Sequence, residues 1–136
     1  MKFATKRIAE NLLFAADIFI LFLVFFESRM VIPAWLQSVG RMHTMFLHFP
    51  IVFILLAMGM EFFRFRPDLQ NQTFYQDFIR ALLLTGALSA AITVIMGLLL
   101  SNESGYSGST VTWHKWMGLA IVFIASAIYW YRISTW

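Results

Sequence analysis

His43, His48 and His114 are the only imidazoles in a chain of 136 residues that contains no cysteine. The lack of thiols excludes structural disulfides, thiolate metal sites, covalently attached c-type haem and cysteine nucleophiles, so histidine is the main residue type left for ligation or proton transfer. All three histidines stand near the start of apolar runs, His43 and His48 in residues 42–61 and His114 in residues 111–131. An imidazole in hydrocarbon is costly unless it has a partner, which makes each a functional hypothesis; the plainer alternative is a hydrogen-bonded histidine at the membrane interface. Neutral imidazole ligates haem iron, copper and zinc.

Counting along the helices narrows the choice. His43 precedes Glu61 by 18 residues and His114 precedes Arg132 by the same number, about 27 Å at helical rise, whereas His48 precedes Glu61 by 13, about 20 Å. A haem held by two imidazoles needs ligands at similar depth on facing helices, which favours His43 with His114. Pro50 lacks a backbone donor and invites a kink beside His48, so a shift of one turn would bring His48 into play instead. His43 and His48, five residues apart, point about 140° away from each other and do not easily share one ion. A three-histidine copper or zinc site would require them to converge. Gly118, one turn below His114, would let a flat macrocycle approach the backbone, while Arg41 and Lys115 flank the histidines where cations pair with haem propionates. The competing readings are a helix-packing glycine and two snorkelling interfacial cations. Asp17 is a further ionisable residue in an apolar run, either a proton-handling group or an interfacial carboxylate.

The elements that hold these residues follow from composition. Hydrophobic residues make up 60% of the chain and charged residues 12%, against roughly 45–50% and 25% in soluble domains, which excludes an ordinary soluble fold. Crossing about 30 Å of hydrocarbon takes about 20 apolar residues, and four stretches qualify, over residues 11–27, 42–61, 81–100 and 111–131. The first is read as a span rather than a cleaved signal. It exceeds an ordinary signal core, contains Asp17 and has no small-residue cleavage site before Glu27. The expected fold is an all-α integral membrane four-helix bundle forming one domain over residues 1–136. A short interfacial helix is expected between spans 1 and 2, where Pro33 suits a first helical turn and Trp35 the headgroup level.

With the N-terminus inside, Lys2, Lys6, Arg7, Arg64, Arg66, Arg80 and Arg132 lie on the cytoplasmic side and Arg29, Arg41 and Lys115 outside, a seven-to-three bias that places both termini in the cytoplasm. The cations mark helix ends rather than a stripe, so the net charge of +3 does not indicate a nucleic-acid partner. The outer connection over residues 101–110 is small, polar and glycine-containing, as a flexible exposed loop should be. Gly86, Ala90, Thr93 and Gly97 form a ridge of small residues on the third span, the pattern that lets membrane helices, or a partner subunit, pack closely. Phe14, Phe19, Phe22, Phe25 and Phe26 in the first span are read as lipid-facing rather than as a quinone or pigment pocket. Trp35, Trp113, Trp116, Trp130 and Trp136 fall near span ends, as interfacial tryptophans do.

The segment Gly40-Arg-Met-His43-Thr-Met-Phe-Leu-His48-Phe-Pro50, followed by His114-Lys-Trp-Met-Gly118, resembles the N-terminal membrane domain of planctomycete-type cytochrome c proteins and related bacterial inner-membrane proteins. The resemblance covers residues 40–131 and departs at Thr44, where proline commonly follows the first histidine, and in the extra span that precedes the motif. It implies an inner-membrane domain linked to periplasmic c-type cytochrome modules, with His43, His48, Pro50, His114 and Gly118 at the matching positions. No cytochrome module follows here, so such a module would be a separate subunit or lie beyond Trp136.

Three functions follow as expectations. The first is an electron-transfer subunit binding b-type haem near its periplasmic face, between the quinone pool and a periplasmic c-type cytochrome. The second is a cofactor-free accessory subunit that contacts lipid and other membrane subunits, and the third is a three-histidine metal site. No Ser-His-Asp constellation, nucleotide-binding glycine loop or paired carboxylates suggest a stand-alone enzyme.

Overall fold

The computed structural model describes residues 3–70, 72–101, 105–106 and 108–135, and these form helices and turns without a strand. Helix α1 spans Phe3–Phe26 and ends in a single 3-10 turn, Glu27–Arg29. A short extended stretch leads to Pro33, which caps α2 (Ala34–Arg41) with φ −64° and ψ 148°. Its ring fixes φ where the helix begins. Helices α3 (His43–Phe46) and α4 (His48–Phe63) follow, then α5 (Pro67–Gln70), α6 (Thr73–Ser101) and α7 (Ser109–Ser134).

The expected four-span bundle is present, and its helices run longer than the apolar runs because polar first and last turns extend beyond the hydrocarbon-compatible cores. Four stretches are long and apolar enough to cross a membrane: Ala4–Arg29, Ala34–Phe63, Thr73–Ser101 and Ser109–Ser134. The short helix expected between spans 1 and 2 is α2. It continues into the second span with small interruptions at Met42 and Leu47, both of which keep right-handed helical dihedrals. Leu47 still donates to the His43 carbonyl at 2.9 Å, so the helical winding carries through from His43 into α4. Pro50 is buried in the first turn of α4, where its missing donor is least costly.

Helix α6 is the hub. Helices α1, α2, α3, α4 and α7 all pack on it, whereas α4 and α7 hardly touch each other. Half of its most apolar window is buried, against 11% for the second span. The small-residue ridge explains why α6 takes the centre. Gly86, Ala90 and Thr93 are buried, and a Cβ on Gly86 would stand 3.0 Å from Ile54 of α4. Gly97, the last member of the ridge, has open space where a Cβ would go. Gly40 provides an approach that was not anticipated. A Cβ there would lie 3.0 Å from both the Leu100 nitrogen and the Met96 carbonyl oxygen, so α2 meets the C-terminal end of α6 backbone to backbone.

Two apolar clusters fill the core. Ile20, Leu23, Ala91, Leu98 and Val122 form one, and Leu13, Leu84, Ala87 and Tyr129 form the other. Phe14, Phe19, Phe22, Phe25 and Phe26 of α1 are exposed, as side chains facing lipid should be. Trp35, Trp113 and Trp116 are exposed near helix starts and Trp130 is half-buried near the end of α7; Trp136 lies outside the described residues. The connection between α6 and α7 falls partly outside them as well, and Gly105 and Gly108 within it take positive φ values of 114° and 122°.

Candidate functional site

The histidines occupy three different settings. His43 opens α3 and is half-buried, with Nδ1 3.3 Å from the Gly40 carbonyl oxygen. His48 opens α4 and is exposed, and His114, in the second turn of α7, is exposed too. Among the described residues no group of three or more His, Cys, Asp or Glu side chains gathers where it could hold a metal ion. The divergent directions of His43 and His48 account for this.

The residues around them have partners of their own. Lys115 Nζ donates to both carboxylate oxygens of Glu27, at 2.8 and 3.1 Å, and the Ser101 hydroxyl donates to the same carboxylate at 3.2 Å. A Cβ on Gly118 would make ordinary contact with Val94 of α6 at 3.5 Å, so Gly118 sits at a helix-packing face. Arg41 is exposed at the end of α2, two residues before His43. Asp17 accepts from the Ser126 hydroxyl at 3.1 Å, and Glu10 accepts from the Tyr129 hydroxyl at 2.7 Å. With Glu27 and Lys115, these pairs make an antiparallel polar ladder between α1 and α7.

The strongest polar constellation lies at the opposite end of the bundle from the histidines. Glu61 Oε1 accepts from Arg132 Nη1 at 2.6 Å and from Arg64 Nη1 at 2.9 Å, and Arg132 Nη2 donates to Gln76 Oε1 at 2.9 Å. Arg132 and Gln76 are buried, while Glu61 is half-buried. Tyr75 donates to the Met60 carbonyl at 2.6 Å, adding a second link between α4 and α6. Sequence reading used Glu61 and Arg132 only to mark helix ends. The signal that pairs them is their type and depth, because opposite charges at neighbouring ends of two apolar helices lower their desolvation cost by meeting.

That contact also fixes the register of two helices that barely touch. Eighteen residues make five whole helical turns, so on an uninterrupted ideal helix the two histidines would fall on the same faces as the paired Glu61 and Arg132. Between α4 and α7 runs an open cleft of about 1060 Å³, lined by Leu83 of α6 and bounded at the end away from the histidines by Glu61, Arg64 and Arg132.

No curated protein and no solved structure matches the chain. Residues 41–135, which include all three histidines, the Glu61–Arg132 pair and the cleft, match the family model described as "Predicted membrane protein (DUF2231)", and the chain belongs to that family.

Proposed function

We propose that the protein is a redox subunit of the bacterial inner membrane that holds one b-type haem between the outer ends of its second and fourth spans, with His43 and His114 as the axial pair. The reading is supported by the contact of Arg132 with Glu61, which joins the two spans at residues that each stand 18 positions, or five ideal helical turns, from a histidine. The donor set fits the group. Nδ1 of His43 stands 3.3 Å from the Gly40 carbonyl oxygen, a contact that suits the tautomer in which Nε2 is the metal-ligating nitrogen. His114 is exposed and available. Arg41, exposed two residues before His43, is a flanking cation of the type that pairs with a propionate. When bound, a bis-imidazole haem supplies one-electron transfer at a potential tuned by its ligands and burial. Both termini are cytoplasmic in this reading, and the haem lies on the periplasmic side, between the quinone pool and a c-type cytochrome carried by another subunit.

The test is a dithionite-reduced minus air-oxidised spectrum of the protein purified in mild detergent after haem loading. The expected result is a sharp b-type band that is lost in His43→Ala and His114→Ala and kept in His48→Ala. A flat spectrum from folded, haem-loaded protein would overturn the proposal. It would favour a cofactor-free accessory subunit, a reading supported by the apolar and largely unburied second span.

A further inference from the structure

The cleft between α4 and α7 has a chemistry unlike that of the histidine end. Its walls are aliphatic, with Ile54 and Met58 on one side and Ile121, Ile124 and Ile128 on the other. From Ile121 to Arg132 is 11 residues, about 16 Å along the helix, close to the depth of one leaflet of a hydrocarbon core about 30 Å thick. At the end away from the histidines two guanidiniums converge on a single carboxylate oxygen, so Arg64, Arg132 and Glu61 leave a net charge of +1 where the apolar walls stop. Arg66, over the Phe63 ring at 5.2 Å, adds a further cation at the same end. A volume of about 1060 Å³ is at the upper end of the roughly 300–1,000 Å³ usual for ligand clefts. An occupant must therefore be long and apolar, with an anionic head at the level of the arginines.

We propose that this cleft is a binding site for an anionic phospholipid of the cytoplasmic leaflet, with an acyl chain along the isoleucine walls and the phosphate beside Arg64 and Arg132. The site uses none of the residues assigned as haem ligands, and it rests on the cytoplasmic orientation of that reading but not on the haem itself. Basic pockets between membrane helices at the cytoplasmic face recognise phospholipid headgroups in this way. A groove selecting only for apolar chains would hold a zwitterionic lipid equally well, so headgroup preference is the discriminating property.

The full chain is reconstituted in vesicles of equal phosphatidylglycerol and phosphatidylcholine, re-extracted in mild detergent, and its retained lipid counted by native mass spectrometry. The expected result is an enrichment of phosphatidylglycerol by about fivefold, the preference that one extra cation near the surface confers. Arg64→Gln should bring the ratio close to one while lipid is still retained. Ile128→Trp, at a half-exposed wall position, should fill the groove and reduce the retained lipid of both kinds. Equal retention of the two lipids by the unchanged protein would overturn the proposal. So would a lipid-free dimer that Ile128→Trp converts to monomer, since a second copy of the chain would then occupy the cleft.

Discussion

At the scale of residues, two glycines at the histidine end of the bundle, Gly40 and Gly97, illustrate how much depends on what a methyl group would meet. At Gly40 a Cβ runs into backbone atoms of Met96 and Leu100, which cannot rotate away, whereas at Gly97 it enters open space. Gly40→Ala should therefore destabilise the protein by about 1–2 kcal/mol through overpacking. Gly97→Ala should be neutral or stabilising by up to about 1 kcal/mol, because alanine is the better helix former. Unfolding in a denaturing-detergent titration would read both. The sequence alone picked out Gly97 as part of the ridge and gave Gly40 no structural role, since glycine spacing reveals a helix face but not where a second helix crosses it. The histidines were legible for a related reason: type and depth can be counted along a chain. The binding of Lys115 to Glu27, 88 residues away, could not be counted, because either cation beside the histidines might have turned in any direction.

At the scale of elements, the four spans were visible as apolar runs, and the small-residue face marked the third as a packing helix. Its place as the hub, contacted by every other long helix, was not visible, because the relative burial of spans depends on which faces meet. The link between α4 and α7 rests on polar side chains rather than on shared core. Breaking Glu61–Arg132 from either side strands a charge, but Glu61 keeps 38% of its side chain exposed, so the loss falls below the 3–5 kcal/mol of a fully buried pair. Glu61→Gln and Arg132→Met should each cost about 1–3 kcal/mol. The double variant should cost clearly less than their sum, and a double-mutant cycle on unfolding free energies would measure that coupling. Additive losses would show that the two residues act separately. In the haem reading, the same variants should also weaken haem retention, since the pair joins the histidine-bearing spans.

At the scale of the whole molecule, the cysteine-free chain lends itself to a direct test of orientation. Tyr106→Cys, in the connection between α6 and α7, should react with a membrane-impermeant maleimide in intact spheroplasts, and Asp68→Cys, in α5, only after lysis. The reverse pattern would invert both the haem side and the lipid leaflet assigned above. The family match begins at Arg41, so α1 lies outside it, yet α1 is tied into the bundle by its ladder to α7. Glu10 and Asp17 find their partners 119 and 109 residues later in the chain. At a synthesis rate of about 5–20 residues per second, roughly 5 to 25 seconds pass between the emergence of α1 and that of the helix that receives its carboxyl groups. During that interval Asp17 and Glu10 lack the Ser126 and Tyr129 hydroxyls that they accept from in the folded chain. The ladder thus makes the polar partners of α1 available only once α7 has been synthesised.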